Sequence, residues 1–108
     1  MAGKPHHHVY VVELDPAVLK DKKFVAANPN YHPDLACLYV GMTGLTPELR
    51  FQNHKAGRKA NKYVQKHGLH LLPSIYEVYN PMTYENAQSK EAQLAQALRK
   101  EGHAVWQH

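Results

Sequence analysis

Five side chains have types and spacings that suit chemistry: Tyr10, Tyr39, Arg50, His54 and Glu91. Glu91 is the most telling. The last helical stretch carries an apolar stripe of Ala87, Leu94, Ala95 and Leu98, and Glu91 stands four after Ala87 and three before Leu94, on that stripe. A carboxylate on the inward face of a helix is expensive to desolvate unless a cation or a metal ion meets it. A buried ion pair, or a glutamate at the rim of the core, is the plainer explanation. Arg50 and His54 are four apart and share one helical face, and Arg58 extends the row if the helix passes Gly57. Such a row can hold a phosphate, since arginine donates a fixed fork of hydrogen bonds and histidine can donate or shuttle a proton. A solvated basic face is the alternative. Tyr10 and Tyr39 fall in the middle of two apolar stretches, where core aromatics with surface hydroxyls are equally at home.

The elements that must position these groups are readable from pattern. HVYVVEL, residues 8 to 14, is β-branched and aromatic, apolar on both faces, and predicts a strand covered on both sides. Asp15-Pro16 is an N-cap and first-turn proline for a short helix, and residues 28 to 33 are turn-rich. Residues 36 to 42 predict a second strand, with Cys37, Tyr39 and Gly41 on one face. Thr46-Pro47-Glu48 starts a helix that runs to Ala56 and stops at Gly57, and a basic helical piece follows over residues 60 to 66. Leu71 to Tyr79 reads as a third strand, irregular at Pro73. The last helix covers residues 84 to 101, capped by Thr83 and stopped by Gly102, with a short terminal strand at 104 to 106. The order predicts a small α/β (α+β) domain with a largely antiparallel sheet of about three strands flanked by helices.

Length and charge narrow the functions. A chain of 108 residues fits one domain. No apolar run reaches a membrane span and no secretory leader opens the sequence. Cys37, the single cysteine, predicts a reducing, cytoplasmic setting. The net charge is +4, and its distribution is one-sided. Between Leu49 and Tyr76 there is no acid, while Arg50, Lys55, Arg58, Lys59, Lys62 and Lys66 crowd the same window. A field of that kind suits a polyanion such as nucleic acid; a solvated helix face would look the same. The nine histidines raise a metal-handling reading, but His6-His7-His8 is their only cluster and no Cys/His pairing suits a closed zinc site.

Two tyrosines, an arginine, a histidine and a glutamate, in that chain order around a basic stretch, resemble the GIY-YIG nuclease family. HVY (residues 8 to 10) corresponds to the first of that family's two strand motifs and YVG (residues 39 to 41) to the second. Arg50 and His54 match the arginine and histidine of the following helix, and Glu85-Asn86-Ala87 followed by Glu91 fits the E-x-A-x-x-x-E pattern of the metal-binding glutamate. His8 stands where the first motif has glycine, and Gln107 stands near where members carry an asparagine. The gap between the two motifs is long, so residues 15 to 35 look like an insertion within a single GIY-YIG-like domain spanning 1 to 108.

The resemblance implies a metal-dependent endonuclease that hydrolyses phosphodiester bonds, most naturally in DNA, with structure-selective or weak specificity. A catalytically degenerate nucleic-acid-binding module of the same fold is the alternative. Glu91 would hold one divalent ion, Mg²⁺ or Mn²⁺, Arg50 would neutralise charge on the phosphate, and Tyr10 would be the base with Tyr39 beside it. Holding a tyrosine as phenolate at pH 7 costs roughly 4 kcal/mol from its reference pKa, so either nearby positive charge lowers that cost or His54 takes the tyrosine's proton. Lys55, Arg58, Lys59, Lys62 and Lys66 would hold the nucleic acid. With no appended recognition segment in this sequence, targeting is expected to rest on the domain itself, a homodimer or a protein partner.

Overall fold

The structure is a computed structural model that describes residues 5–108. Strand β1, His8–Leu14, and strand β2, Cys37–Thr43, form the centre of a sheet and run antiparallel. Their pairing fixes the register that the sequence left open. Tyr10 lies opposite Gly41 and Val12 opposite Tyr39, so both tyrosines project from the same face. Val9, Val11, Leu38 and Val40 fill the other face and are fully buried. A strand buried on both sides has no room for alternation of apolar and polar residues, as the sequence of β1 shows.

Between β1 and β2 the chain makes a 3-10 helix, Pro16–Lys20, then helix α1, Lys22–Ala26. Asp15 caps the first by accepting from Ala17 N–H at 2.8 Å. Asp21 caps the second by accepting from Phe24 N–H at 2.9 Å. The segment is tied into the sheet by Asn28, which is buried, donates to Val105 O at 3.1 Å and accepts from Val105 N–H at 2.8 Å.

Helix α2, Pro47–Lys55, begins as the Thr46 cap requires, and Gly57 reverses the chain in the left-handed region at φ 82°. Helix α3, Lys62–His67, follows and runs directly into strand β3, Gly68–Leu71, which pairs antiparallel with β1. Here the sequence expectation is overturned. Leu71 to Tyr79 is not a strand: β3 ends at Leu71, helix α4 covers Pro73–Tyr76, and a 3-10 turn takes Glu77–Tyr79. Leu72 N–H makes the last bond to β1, at Val11 O. Pro73 has no N–H to continue the ladder, and its fixed φ suits the first position of a helix. A short apolar run cannot be assigned to helix or strand by its composition. Beyond that point the edge of β1 is met by a side chain. Asn80 accepts from Val9 N–H at 2.9 Å and donates to Val9 O at 2.8 Å, as a neighbouring strand would.

Helix α5, Tyr84–Glu101, starts at the Thr83 cap and ends at Gly102, which is left-handed at φ 110°. Strand β4, Ala104–Gln107, then pairs parallel with β2. The sheet therefore has four strands rather than about three, in the order β3-β1-β2-β4. The fold class is the mixed α/β arrangement expected, antiparallel except at β4. Helices α1, α2 and α3 cover the tyrosine face, where Phe24, Tyr63 and Trp106 stack with centroids 4.9 to 6.3 Å apart. Helix α5 covers the other face, where Ala87, Glu91, Ala95 and Leu98 are its buried residues.

Candidate active site

Three of the five residues meet on the tyrosine face. His54, on α2, is completely buried, with its ring centroid 6.1 Å from that of Tyr10 and 5.6 Å from that of Tyr39. Its two nitrogens have different partners, and these fix where the proton sits. Asn61 N–H donates to His54 Nδ1 at 3.0 Å, so Nδ1 carries no hydrogen. Burial, helped by the Arg50 charge, lowers the imidazole pKa to about 4, so the ring is neutral near pH 7. The remaining proton is on Nε2, which lies 2.8 Å from the Tyr10 hydroxyl and donates to it. His54 is thus a hydrogen-bond donor to Tyr10 and not the acceptor of its proton. Asn61 was invisible to motif reading because it acts through its backbone. Its side chain meanwhile caps α3 by accepting from Tyr63 N–H.

A titration checks this assignment. The His54 ring is expected to stay neutral down to about pH 5 by NMR, with Nε2 protonated. Its folded-state pKa is depressed, so the stability it contributes is complete above the unfolded value of about 6.5 and is lost as pH falls toward 4. A His54 resonance titrating near 6.5 would contradict the hydrogen-bond pattern.

Gly41 explains why the second motif ends in glycine. A Cβ built there would lie 2.7 Å from the Tyr10 hydroxyl oxygen and 2.9 Å from the Tyr39 ring. The Tyr10 side chain occupies the space that any larger residue at 41 needs. Gly41→Ala is expected to destabilise the fold by about 1–3 kcal/mol through overpacking and to displace Tyr10, measured by urea unfolding and by loss of the Tyr10–His54 coupling. An unchanged midpoint would mean the pocket relaxes without strain.

Arg50 is held by the chain end of its own helix. Its guanidinium donates to Arg58 O at 3.2 Å and to Lys59 O at 2.9 Å, which leaves other N–H groups for a ligand. Arg58 does not continue the helical row, because α2 ends at Lys55. Lys59 takes φ 48°, which turns the loop so that its carbonyl meets Arg50. The Arg50 charge favours ionisation of both tyrosines, but burial outweighs it. Tyr39 is pushed up to about 12, chiefly by burial. Tyr10 is raised further by burial and by Tyr39.

Glu91 sits on the other side of the sheet, on α5, and is 5 % exposed. No cation pairs with it among the described residues. Gln107, from β4, donates to Oε1 at 3.1 Å, and Oε2 is buried without a hydrogen-bond partner. Burial raises the Glu91 pKa, with the Gln107 bond opposing it. The carboxylate lines a cavity of about 410 Å³ with His7, Thr43, Gly44 and His108. Its charge adds to burial in raising the pKa values of both tyrosines, so the two halves of the site are electrostatically linked across the sheet. Among the described residues no group of three or more His, Cys, Asp or Glu could enclose a metal. An unpartnered carboxylate oxygen on a residue that lines a cavity fits a cation that keeps most of its water.

The expected nucleic-acid contacts divide. Arg58, Lys59, Lys62 and Lys66 are exposed. Lys55 is engaged within the fold: its ammonium donates to Val64 O, Gln65 O and Gly68 O, at 3.4, 2.9 and 3.0 Å. It closes the C-terminal end of α3 with all three of its donors, which removes it from the free cations.

The family model of the GIY-YIG catalytic domain matches residues 30–104. The match takes in Tyr39, Gly41, Arg50, His54 and Glu91, while β1 and Tyr10 precede it. No curated protein and no solved structure matches the chain.

Proposed function

The chain belongs to the GIY-YIG family of nucleases, which generally use divalent metal ions, and from that footing we propose that it is a metal-dependent endonuclease hydrolysing phosphodiester bonds in DNA. The observation that carries this reading is Glu91, a buried carboxylate with no ion-pair partner among the described residues and one orphaned oxygen, whose charge is felt by the tyrosine pair. A purely structural glutamate at that depth would be paired.

In this reading Glu91 would hold one divalent ion, Mg²⁺ or Mn²⁺, through its unpartnered Oε2. When bound, that ion supplies Lewis-acid polarisation of the phosphate and stabilises the leaving oxygen. Arg50 turns its free N–H groups to the scissile phosphate and offsets the negative charge that grows as water attacks. Tyr10 first gives up its hydroxyl proton to solvent; the attacking water then forms the new P–O bond as the bond to the leaving oxygen breaks, the water's proton goes to the Tyr10 phenolate, and the leaving oxygen takes a proton from solvent. His54 Nε2–H donates to the Tyr10 oxygen and steadies it as a phenolate. Burial opposes that ionisation and the Arg50 charge favours it. Tyr39 adjoins Tyr10, with ring centroids 6.1 Å apart, and acts as its hydrogen-bonding neighbour.

Both tyrosines are only 1 % exposed, which favours a second reading: a degenerate module that holds nucleic acid without cutting it. Labelled duplex, single-stranded, flapped and branched DNA, and a closed circular plasmid, separate the two. The endonuclease nicks the plasmid and shows a preference among the shaped substrates. Binding to all of them with no cutting supports the degenerate module.

A further inference from the structure

A second cleft lies on the tyrosine side, away from Glu91. It measures about 480 Å³ and is walled by Lys20, Asp21, Lys62, Lys66 and His67, with Tyr63 at its floor. Its one acid is occupied: Asp21 Oδ1 accepts from Phe24 N–H at 2.9 Å and from the Tyr63 hydroxyl at 3.0 Å. Lys62 lies 5.0 Å from the Tyr63 ring. Lys20 and Lys66 have no hydrogen-bond or ion-pair partner among the described residues. Unpaired ammonium groups around a concave surface raise the local concentration of an anion.

Two features point to a chain of phosphates as that anion. Lys62 and Lys66 are one helical turn apart, about 6 Å along the axis. That is close to the rise of two nucleotides in one strand of a duplex, at about 3.4 Å each. The cleft lies at the Leu14 end of β1, and one backbone link joins its wall to the proposed reaction centre. Asn61, which holds His54 through its backbone N–H, immediately precedes Lys62 and Tyr63. The Tyr63 ring packs against Phe24 and Trp106, so the floor offers no free face for stacking a base.

We propose that the cleft between α3 and the 3-10 helix Pro16–Lys20 is a second phosphate-binding site, which grips the nucleic-acid backbone away from the cleaved bond through Lys20, Lys62 and Lys66. It rests on the nuclease reading above and extends it. Lys20 and Asp21 come from the segment that precedes the family match, and Lys62 and Lys66 from within it. The cleft reads backbone and not base, and it lengthens the footprint without adding sequence specificity.

The test is DNA binding by the full chain in EDTA at a series of salt concentrations, for the wild type, Lys20→Ala and Lys20→Glu. Lys20→Ala is expected to weaken binding about three- to tenfold at low salt and to reduce the slope of log K against log salt by about one, with Lys20→Glu larger in both. In cleavage, Lys20→Ala raises KM and leaves kcat unchanged. If the wild type binds DNA and the variants match its affinity and slope, the cleft is only a pair of helix-end charges, and this proposal alone falls. If the wild type binds no nucleic acid, the nuclease reading falls with it. Circular dichroism and the melting temperature of each variant confirm that the fold is kept.

Discussion

Glu91→Gln is expected to abolish cleavage, leave DNA binding within about threefold, and raise the melting temperature. Glutamine has the same shape, so it can keep a hydrogen bond with Gln107, and it needs no ionised group in a site that is 5 % exposed. The wild-type carboxylate has a raised pKa, so its ionised form destabilises the fold as pH rises through that pKa. The gain from the substitution is therefore present at pH 7 and disappears at pH values below the ordinary carboxylate range, where the wild-type group is protonated too. The loss of activity has a separate origin. A neutral amide is a poor ligand for a hard divalent ion, and losing several kcal/mol of charge stabilisation slows the chemical step by at least about a hundredfold. A residue kept for packing or for an ion pair would behave in the opposite way, with stability lost on substitution. Calorimetry of the two proteins at pH 7 and at a pH below that range, beside a cleavage assay, reads both effects.

Tyr10→Phe is the second substitution of large effect. Removing a general base slows turnover by about 10² to 10⁴. The same change leaves the Nε2–H of a fully buried histidine without an acceptor, at about 1–3 kcal/mol in stability. The variant is thus expected to be slower and less stable together, and the two effects separate in a double-mutant cycle. His54→Phe removes the stranded donor, so adding Tyr10→Phe to it costs little further stability. Equal stability losses from Tyr10→Phe in the presence and absence of His54 would show that the bond is energetically idle. Full turnover by Tyr10→Phe would move the proton acceptor to Tyr39.

The parts of the fold that carry strong local signals were legible. Thr46-Pro47-Glu48, Thr83 and Gly102 place helix ends because caps and stops act within a few residues, and the structure puts α2 and α5 where they say. Glu91 could be singled out because a charge on an apolar stripe breaks a helical period. The run after Gly68 was not legible. Its apolar residues serve a four-residue strand and then a helix, and only the tertiary partners of β1 decide where one becomes the other. The site was half legible for the same reason. Residue types can name His54 and Tyr10, but which proton lies between them depends on the Asn61 backbone N–H, a contact seven residues away that side-chain chemistry does not encode. Lys55 belonged to a run of cations by sequence, yet three carbonyls of the α3–β3 junction claim it.

The central claim is that this chain cuts phosphodiester bonds with a divalent ion held at Glu91. Its most direct test is cleavage of an end-labelled DNA substrate by the wild-type protein across an Mg²⁺ titration, with EDTA reversal and binding followed on the same samples. The account predicts cutting that rises with Mg²⁺, stops on chelation and resumes when the metal is restored, while the DNA stays bound throughout. Cleavage that continues in EDTA, or DNA that remains bound and intact at every Mg²⁺ concentration, would contradict it.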